Sequence, residues 1–188
     1  SNSRGGTSSW SDSIAEDTYT IHRSVDDGAF AEYVTGHTGT TYKDTAVSTA
    51  VKYTYYIEAV VSSANAGESS RRIAPYVKLT HPNGGVTQQF NVGETVNITW
   101  EASPDQTPGN FTLWLSDDSG ATYDAAWEIH GSETPNGYAW SAGYVLDNTN
   151  QVISGSAATN CRILIQAYDA SAAAYLQDES DADFEVTP

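Results

Sequence analysis

Polar and apolar residues alternate along much of this chain. In "KYTYYIEAVV" (52–61), Tyr53, Tyr55, Ile57 and Ala59 fall on one side and Lys52, Thr54, Tyr56 and Glu58 on the other, the period of a half-buried strand. "FTLWLS" puts Phe111, Leu113 and Leu115 on one face, and "CRILIQAY" does the same with Cys161, Ile163, Ile165 and Ala167. Further strands are expected in "TYTIHRS", "FAEYVT", "YVKLTHP", "TVNITW", "GYAWSA" and "DFEVTP". Helical periodicity is nearly absent. Short strands at near-regular spacing, separated by Gly, Asn and Asp turns, predict an all-β sandwich or barrel.

At 188 residues the chain lies between one domain and two. "RRIAPYVKLTHPNGG" suggests the division: Pro75 follows a completed alternating strand and a new strand is expected from Tyr76. The break is placed near Ala74 to Pro75, giving domains 1–74 and 75–188.

Charge removes several function classes. Twenty-four acidic against eight basic side chains leave a net charge of -16, which disfavours nucleic acid, because binding a phosphate backbone needs Lys and Arg to replace counterions. An anionic membrane surface is disfavoured likewise, and no apolar run is long enough to insert into a bilayer. The single cysteine, Cys161, excludes an intrachain disulfide and reads as a small buried hydrophobe. No Met occurs, so the chain is expected to be a processed product or a piece of a longer protein.

Particular residues carry a resemblance. Trp10, then Tyr19, Ile21, Arg23 and Ser24, then Tyr42, Asp44 and Thr45, then Tyr53, Tyr55 and Ile57 resemble the middle and end of a bacterial fibronectin type III domain over residues 8–61. From "HPNGG" through "VGETVNITW", "LSDDSGATYDAAW", "NCRILIQAYD" and "ESDADFEV", the second half resembles an immunoglobulin-like module of secreted bacterial proteins, with Val86 where that pattern has Glu. The resemblances imply two tandem β-sandwiches that serve as spacers, adhesive units or accessories of secreted enzymes. A fibronectin type III sandwich has seven strands. Only six are counted before Pro75, and the polar "SNSRGGTSS" stands where the first is expected. Strand donation by another copy, giving a filament, is one way to complete such a sandwich.

The candidate sites are few. Ser24, Asp26 and Gly28 in "RSVDDGAF", and Ser116, Asp118 and Gly120 in "LSDDSGATY", form two Asp-box-like hairpins in which the Asp is expected to accept N–H bonds of its own turn and the Gly to take positive φ. Asp178, Asp181 and Asp183 crowd a strand entry, where Ca2+ would bridge them as hard oxygen ligands; the alternative is a solvated surface. No cofactor is otherwise required. The resemblance implies that Trp10 and Trp100, at the family's core position on the second strand, are core residues, whereas Trp114 and Trp127 are the candidates for stacking on sugar rings unless a neighbouring domain covers them. Asn97-Ile98-Thr99 and Asn110-Phe111-Thr112 are sequons. The four histidines lack metal-ligand spacing, and neither a nucleophile elbow nor a phosphate loop occurs, so catalysis is not expected.

The expected function is a non-catalytic, extracellular or cell-surface structural or adhesive protein, part of a secreted or surface assembly. Its partners would be copies of itself, neighbouring domains of a larger protein, or glycans. The alternative is a carbohydrate-binding accessory region of a secreted glycoside hydrolase.

Overall fold

The computed structural model describes residues 6–9, 18–61, 64–85, 88–104, 111–132, 137–169 and 174–188. Trp10 and Asn110 lie outside them. The chain divides into two compact units, Ser1–Tyr76 and Val77–Pro188. The strand expected from Tyr76 begins at Val77. Regular structure among the described residues is β throughout, apart from one 3-10 turn.

The first unit contains β1 (Gly6–Ser9), β2 (Thr18–Val25), β3 (Ala31–His37), β4 (Thr41–Asp44), β5 (Tyr53–Val61), β6 (Ala64–Glu68) and β7 (Arg72–Ile73). The main sheet runs β3-β2-β5-β6, with β7 also paired to β5, and β1 pairs with β4 in a second sheet. Tyr19, Ile21, Tyr53, Tyr55 and Ile57 form the core, and Val34, Tyr42, Val47 and Val51 pack against it. These are the inward residues that alternation selects on β2 and β5.

The reading of "SNSRGGTSS" as strandless is corrected. Gly6, Thr7, Ser8 and Ser9 pair antiparallel with Asp44, Lys43, Tyr42 and Thr41. Gly, Thr and Ser give no hydrophobic alternation, but ladder pairing needs only the backbone. The strand-exchange filament rested on nothing before Trp10 forming a strand, and it loses that premise.

One carboxylate organises this sandwich. Asp44, at the end of β4, is 1% exposed and accepts from Tyr33 Oη at 2.8 Å, Tyr55 Oη at 2.8 Å, Arg23 Nη1 at 3.0 Å and the Ala46 N–H at 2.8 Å. The Arg23 guanidinium also lies 3.8 Å from the Tyr33 ring centroid. Burial alone would raise the Asp44 pKa, but the Ala46 N–H, the two phenols and Arg23 outweigh it and hold the carboxyl below its ordinary value. In turn, burial and the bond to Asp44 push the Tyr33 phenol up to about 12.

The second unit contains β8 (Val77–His81), β9 (Gln89–Asn91), β10 (Thr95–Ala102), β11 (Phe111–Ser116), β12 (Glu128–Ser132), β13 (Gly137–Ser141), β14 (Tyr144–Val145), β15 (Asn150–Gln151), β16 (Ala158–Asp169), β17 (Ala174–Glu179) and β18 (Phe184–Thr187). One sheet runs β13-β10-β8 and the other β12-β11-β16-β18-β9, with β17 also on β16. Between them lie Val77, Leu79, Val96, Ile98, Trp100 and Trp140 from the first and Phe111, Leu113, Leu115, Cys161, Ile163, Ile165, Leu176 and Phe184 from the second. Trp100 and Cys161 are core residues, at 4% and 0% exposure.

Replacing Asp44 with Ala strands a guanidinium, two phenols and an N–H, and is expected to destabilise the first unit by about 3–5 kcal/mol. Tyr55→Phe removes one hydrogen bond and is expected to cost about 1–2 kcal/mol. Hydrogen exchange resolved to residues 18–61 measures both, with residues 77–188 as the internal control. Because Asp44 titrates lower in the fold than in the unfolded chain, its contribution is present above the ordinary Asp range and is lost as pH falls through and below it. The Asp44→Asn variant should lack that acid limb.

Candidate functional site

The two Asp-containing hairpins are built differently. In the first, Asp26 and Asp27 take φ of 46° and 59°, and the Gly28 N–H donates to the Val25 carbonyl at 2.9 Å. Ser24 Oγ donates to the Gly28 carbonyl at 2.6 Å. The expectation that Asp26 accepts an N–H of its own turn is met elsewhere: its carboxylate accepts the N–H of Lys52, the residue before β5, at 3.2 Å, and Lys52 Nζ reaches Asp27 at 2.8 Å. The expectation that Gly28 carries the positive φ is corrected: the two aspartates do. Asp tolerates the left-handed region better than most residues, so the turn needs no glycine there.

In the second hairpin, Ser119 and Gly120 take φ of 61° and 78°. Asp118 accepts the Thr122 N–H at 2.9 Å, the Thr122 hydroxyl at 2.6 Å and the Ser116 hydroxyl at 2.5 Å, while Ser116 Oγ accepts the Gly120 N–H at 3.0 Å. Those donors, the Ser116 hydroxyl first and then Thr122, pull the Asp118 pKa down to about 2. The carboxylate is occupied by its own turn.

The acidic tail is dispersed. Asp178 faces β8 and accepts the Leu79 N–H at 2.8 Å; Asp181 accepts from Asn83 Nδ2 at 2.6 Å; Asp183 accepts from Arg162 Nε at 2.6 Å and Ser119 Oγ at 2.8 Å. The reading of Asp178, Asp181 and Asp183 as a joint Ca2+ site is corrected on this geometry. Each meets a different protein donor, and among the described residues no group of three His, Cys, Asp or Glu side chains is placed to hold a metal ion.

The site that these residues build is a clasp. The partner of β16 is broken: β18 pairs with Ala158 and Cys161, β17 pairs with residues 164–169, and 180–183 interrupt them. Into that interruption fits "PNGG". Asn83 Oδ1 accepts the Asp181 N–H at 3.0 Å, the Asn83 carbonyl accepts the Ala182 N–H at 3.3 Å, and the Gly85 N–H donates to the Asp183 carbonyl at 3.1 Å. Ser180, with 0% exposure, donates its hydroxyl to the Pro82 carbonyl at 3.0 Å and accepts the Ile163 N–H at 3.1 Å. Gly84 takes φ of +80°, and a Cβ there would stand 1.7 Å from the Ala182 carbonyl oxygen. No other residue fits that approach.

The flanking motifs converge on the same place. Arg162 bridges Asp183 and, at 3.1 Å, Glu179; Tyr123 Oη donates to Glu179 at 3.1 Å. Beside Arg162, a Cβ on Gly120 would lie 3.2 Å from its Cδ. Thus the Ser-x-Asp-x-Gly, Cys-Arg-Ile and Ser-Asp-x-x-Phe stretches form one hydrogen-bonded cluster. Glu179 and Ser180 enter the sequence reading only as part of "ESDADFEV", with no role of their own. Their place beside a strand break is a matter of register.

The tryptophans separate. Trp127 closes the 3-10 turn Ala125–Trp127 and packs partly buried against the core. Trp114 is half-buried, alternates with the inward Leu113 and Leu115, and stands opposite Leu164 on β16. Asn97 is exposed on β10.

No family model matches the chain, and no curated protein matches it. Among solved structures it is similar to the fibronectin(III)-like modules of Clostridium thermocellum CbhA, at 18% identity over 98% of this chain and 85% of that chain, with a TM-score of 0.35. A score of that size does not establish a shared strand arrangement, and that neighbour names no immunoglobulin-like module. The sandwich architecture stands on the pairing and cores described above.

Burial raises the Asp178 carboxyl to about 6, against the Leu79 and Glu179 N–H groups, which lower it, and with help from the charge of Asp181. A carboxyl whose folded pKa lies above its unfolded value binds its proton more tightly in the fold, so its contribution falls as pH rises from about 4 to about 6. Asp178→Asn keeps an acceptor for Leu79 and removes the charge. The variant is expected to melt above the parent at pH 7.5 and to lose that advantage by pH 4.5. Melting curves at the two pH values check the sign.

Proposed function

We propose that this chain is a non-catalytic, load-bearing pair of β-sandwich modules within a secreted or cell-surface protein. The observation that carries the reading is how the second unit is closed: its first segment is tied to its last. The 81–85 segment is clasped to 180–183, and β9 continues the join by pairing in parallel with β18, Gln89 opposite Glu185 through Asn91 opposite Thr187. Parallel partners pulled from the upstream end of one and the downstream end of the other are sheared. All bonds between them are then loaded together instead of opening one at a time.

The polar residues fit this reading. The carboxylates at Asp44, Asp118, Asp181 and Asp183 already meet protein donors, as a scaffold requires. No helix among the described residues is long and apolar enough to cross a membrane. The surplus negative charge keeps such a module soluble and dispersed in salt-rich surroundings.

Single-molecule pulling of the whole chain from its ends tests the proposal. The second unit gives the larger extension step, because it runs from Val77 to Pro188 against Ser1 to Tyr76. Asn83→Ala and Asp181→Ala each remove side-chain bonds of the clasp, costing about 1–2 kcal/mol. Both are expected to lower the rupture force of that step and to leave the smaller step unchanged. An unaltered rupture force in folded variants overturns the load-bearing role.

A further inference from the structure

The outer face of the larger sheet in the second unit carries an arrangement that neither the core nor the clasp uses. Tyr168 on β16 and Tyr175 on β17 are directly opposed, with ring centroids 5.3 Å apart and planes at 64°. They are 45% and 59% exposed, which places them among the exposed large hydrophobics, and Tyr175 leads these. One row along, Gln166 Nε2 donates to Gln177 Oε1 at 3.0 Å, and Thr112 of β11 stands opposite Gln166. Thr112 in turn faces Gly131 of β12, and the Glu128 carboxylate lies beside that glycine, 2.9 Å from where its Cβ would stand. Trp114 borders the next row beside Leu164.

We propose that this face binds an uncharged glycan chain, with one of the two rings, Tyr168 or Tyr175, stacking its face on a sugar ring, the other bordering that ring, and Gln166, Gln177 and Thr112 exchanging hydrogen bonds with its hydroxyls. Charge selects the ligand. On a chain of net charge -16, the residues Thr112, Gln166, Gln177, Tyr168 and Tyr175 are themselves uncharged, and among the described residues of these rows there is no cation. Among the described residues the Glu128 carboxylate reaches the β12 end of the Thr112 row, and Glu179 and Arg162 lie in the rows beyond. An anionic polymer is repelled by the surrounding surface and finds no cation on these rows. A second copy of the chain brings the same negative field against itself. A neutral polyhydroxylated chain meets neither penalty. The size agrees too: three strands about 4.8 Å apart and rows about 7 Å apart hold one or two sugar rings.

The side chains involved are surface residues, so their removal leaves both cores intact. Native affinity electrophoresis of the whole chain through hydroxyethyl cellulose, xylan, galactomannan, soluble starch and β-1,3-glucan is expected to show retardation in at least one gel. Polygalacturonate should give none. In the retarding gel, Tyr168→Ala with Tyr175→Ala should weaken binding about tenfold or more, and Gln166→Ala with Gln177→Ala should weaken it as well. Trp127→Phe, on the core side, should leave it unchanged. Free mobility in all five neutral gels overturns the proposal, as does retardation that survives the double tyrosine variant. Sedimentation reads the rival occupant: a dimer that the tyrosine variant dissolves, with no glycan bound, assigns the face to a second copy instead.

Discussion

Everything in the second sandwich hangs on a hydroxyl with no exposed surface. Ser180 Oγ bonds simultaneously to the Pro82 carbonyl and the Ile163 N–H, joining the first segment of the unit, its longest strand and its last hairpin at one atom. A buried donor or acceptor left unpaired costs about 1–3 kcal/mol, so the three segments must arrive together. Around that atom the other requirements follow. Gly84 is needed because the backbone passes too close for a Cβ, Asn83 because an amide satisfies both the N–H and the carboxylate of Asp181, and Arg162 because two carboxylates converge beside it. An acidic tail that reads as a cation site is thereby a set of acceptors supplied with donors by the rest of the chain.

The edges of the three-stranded sheet obey the same constraint. β13 and β8 are its outer strands, and each has side-chain partners. Asn148 accepts the Ser141 N–H at 2.8 Å and donates to the Ala139 carbonyl at 3.1 Å, standing in for a neighbouring strand; Asp178 serves the Leu79 N–H on β8. Holding Asn148 there takes a run of left-handed backbone, Leu146, Asp147 and Asn148 at φ of 51°, 55° and 62°, at roughly 1–2 kcal/mol per residue. Hydrogen bonds from the Leu146 and Asp147 N–H groups to the carbonyls of Glu128 and Ile129 offset part of that strain. Edge strands occupied in this way are poor templates for another chain.

The legible part of this structure is the part that obeys a local period. Alternation gave the inward faces of β5, β11 and β16, and it placed Trp114 outward, because a strand of period two assigns faces without knowing its partner. It also marked Tyr168 as outward, since Ala167 is inward; that Tyr175 lies opposite depends on the register of a hairpin. Two failures have physical reasons. β1 was missed because Gly, Thr and Ser pair through backbone without a hydrophobic code. Asp178, Asp181 and Asp183 were grouped because they are close in sequence, yet one lies on β17 facing β8 and the others follow in the strand break.

The two sandwiches hold a buried carboxylate, Asp44, and a half-buried one, Asp178, with opposite electrostatic outcomes. Asp44 has four donors, among them a guanidinium, and remains ionised despite complete burial. Asp178 accepts from backbone N–H groups and has Asp181 and Lys78 acting on it with opposite signs; burial outweighs the groups that lower it, and its carboxyl is raised. Mild acid therefore relieves the second unit at a pH where the first is still fully supported, and stronger acid removes the support of the first. What decides between these outcomes is the number and charge of the donors, since both carboxylates sit in β-sandwiches of similar make. The same accounting separates the acidic residues of the clasp from the neutral outer rows of β16 and β17. In the clasp Asp181 and Asp183 are acceptors supplied with donors by their neighbours, whereas Gln166, Tyr168, Tyr175 and Gln177, which face outward on β16 and β17, carry no charge.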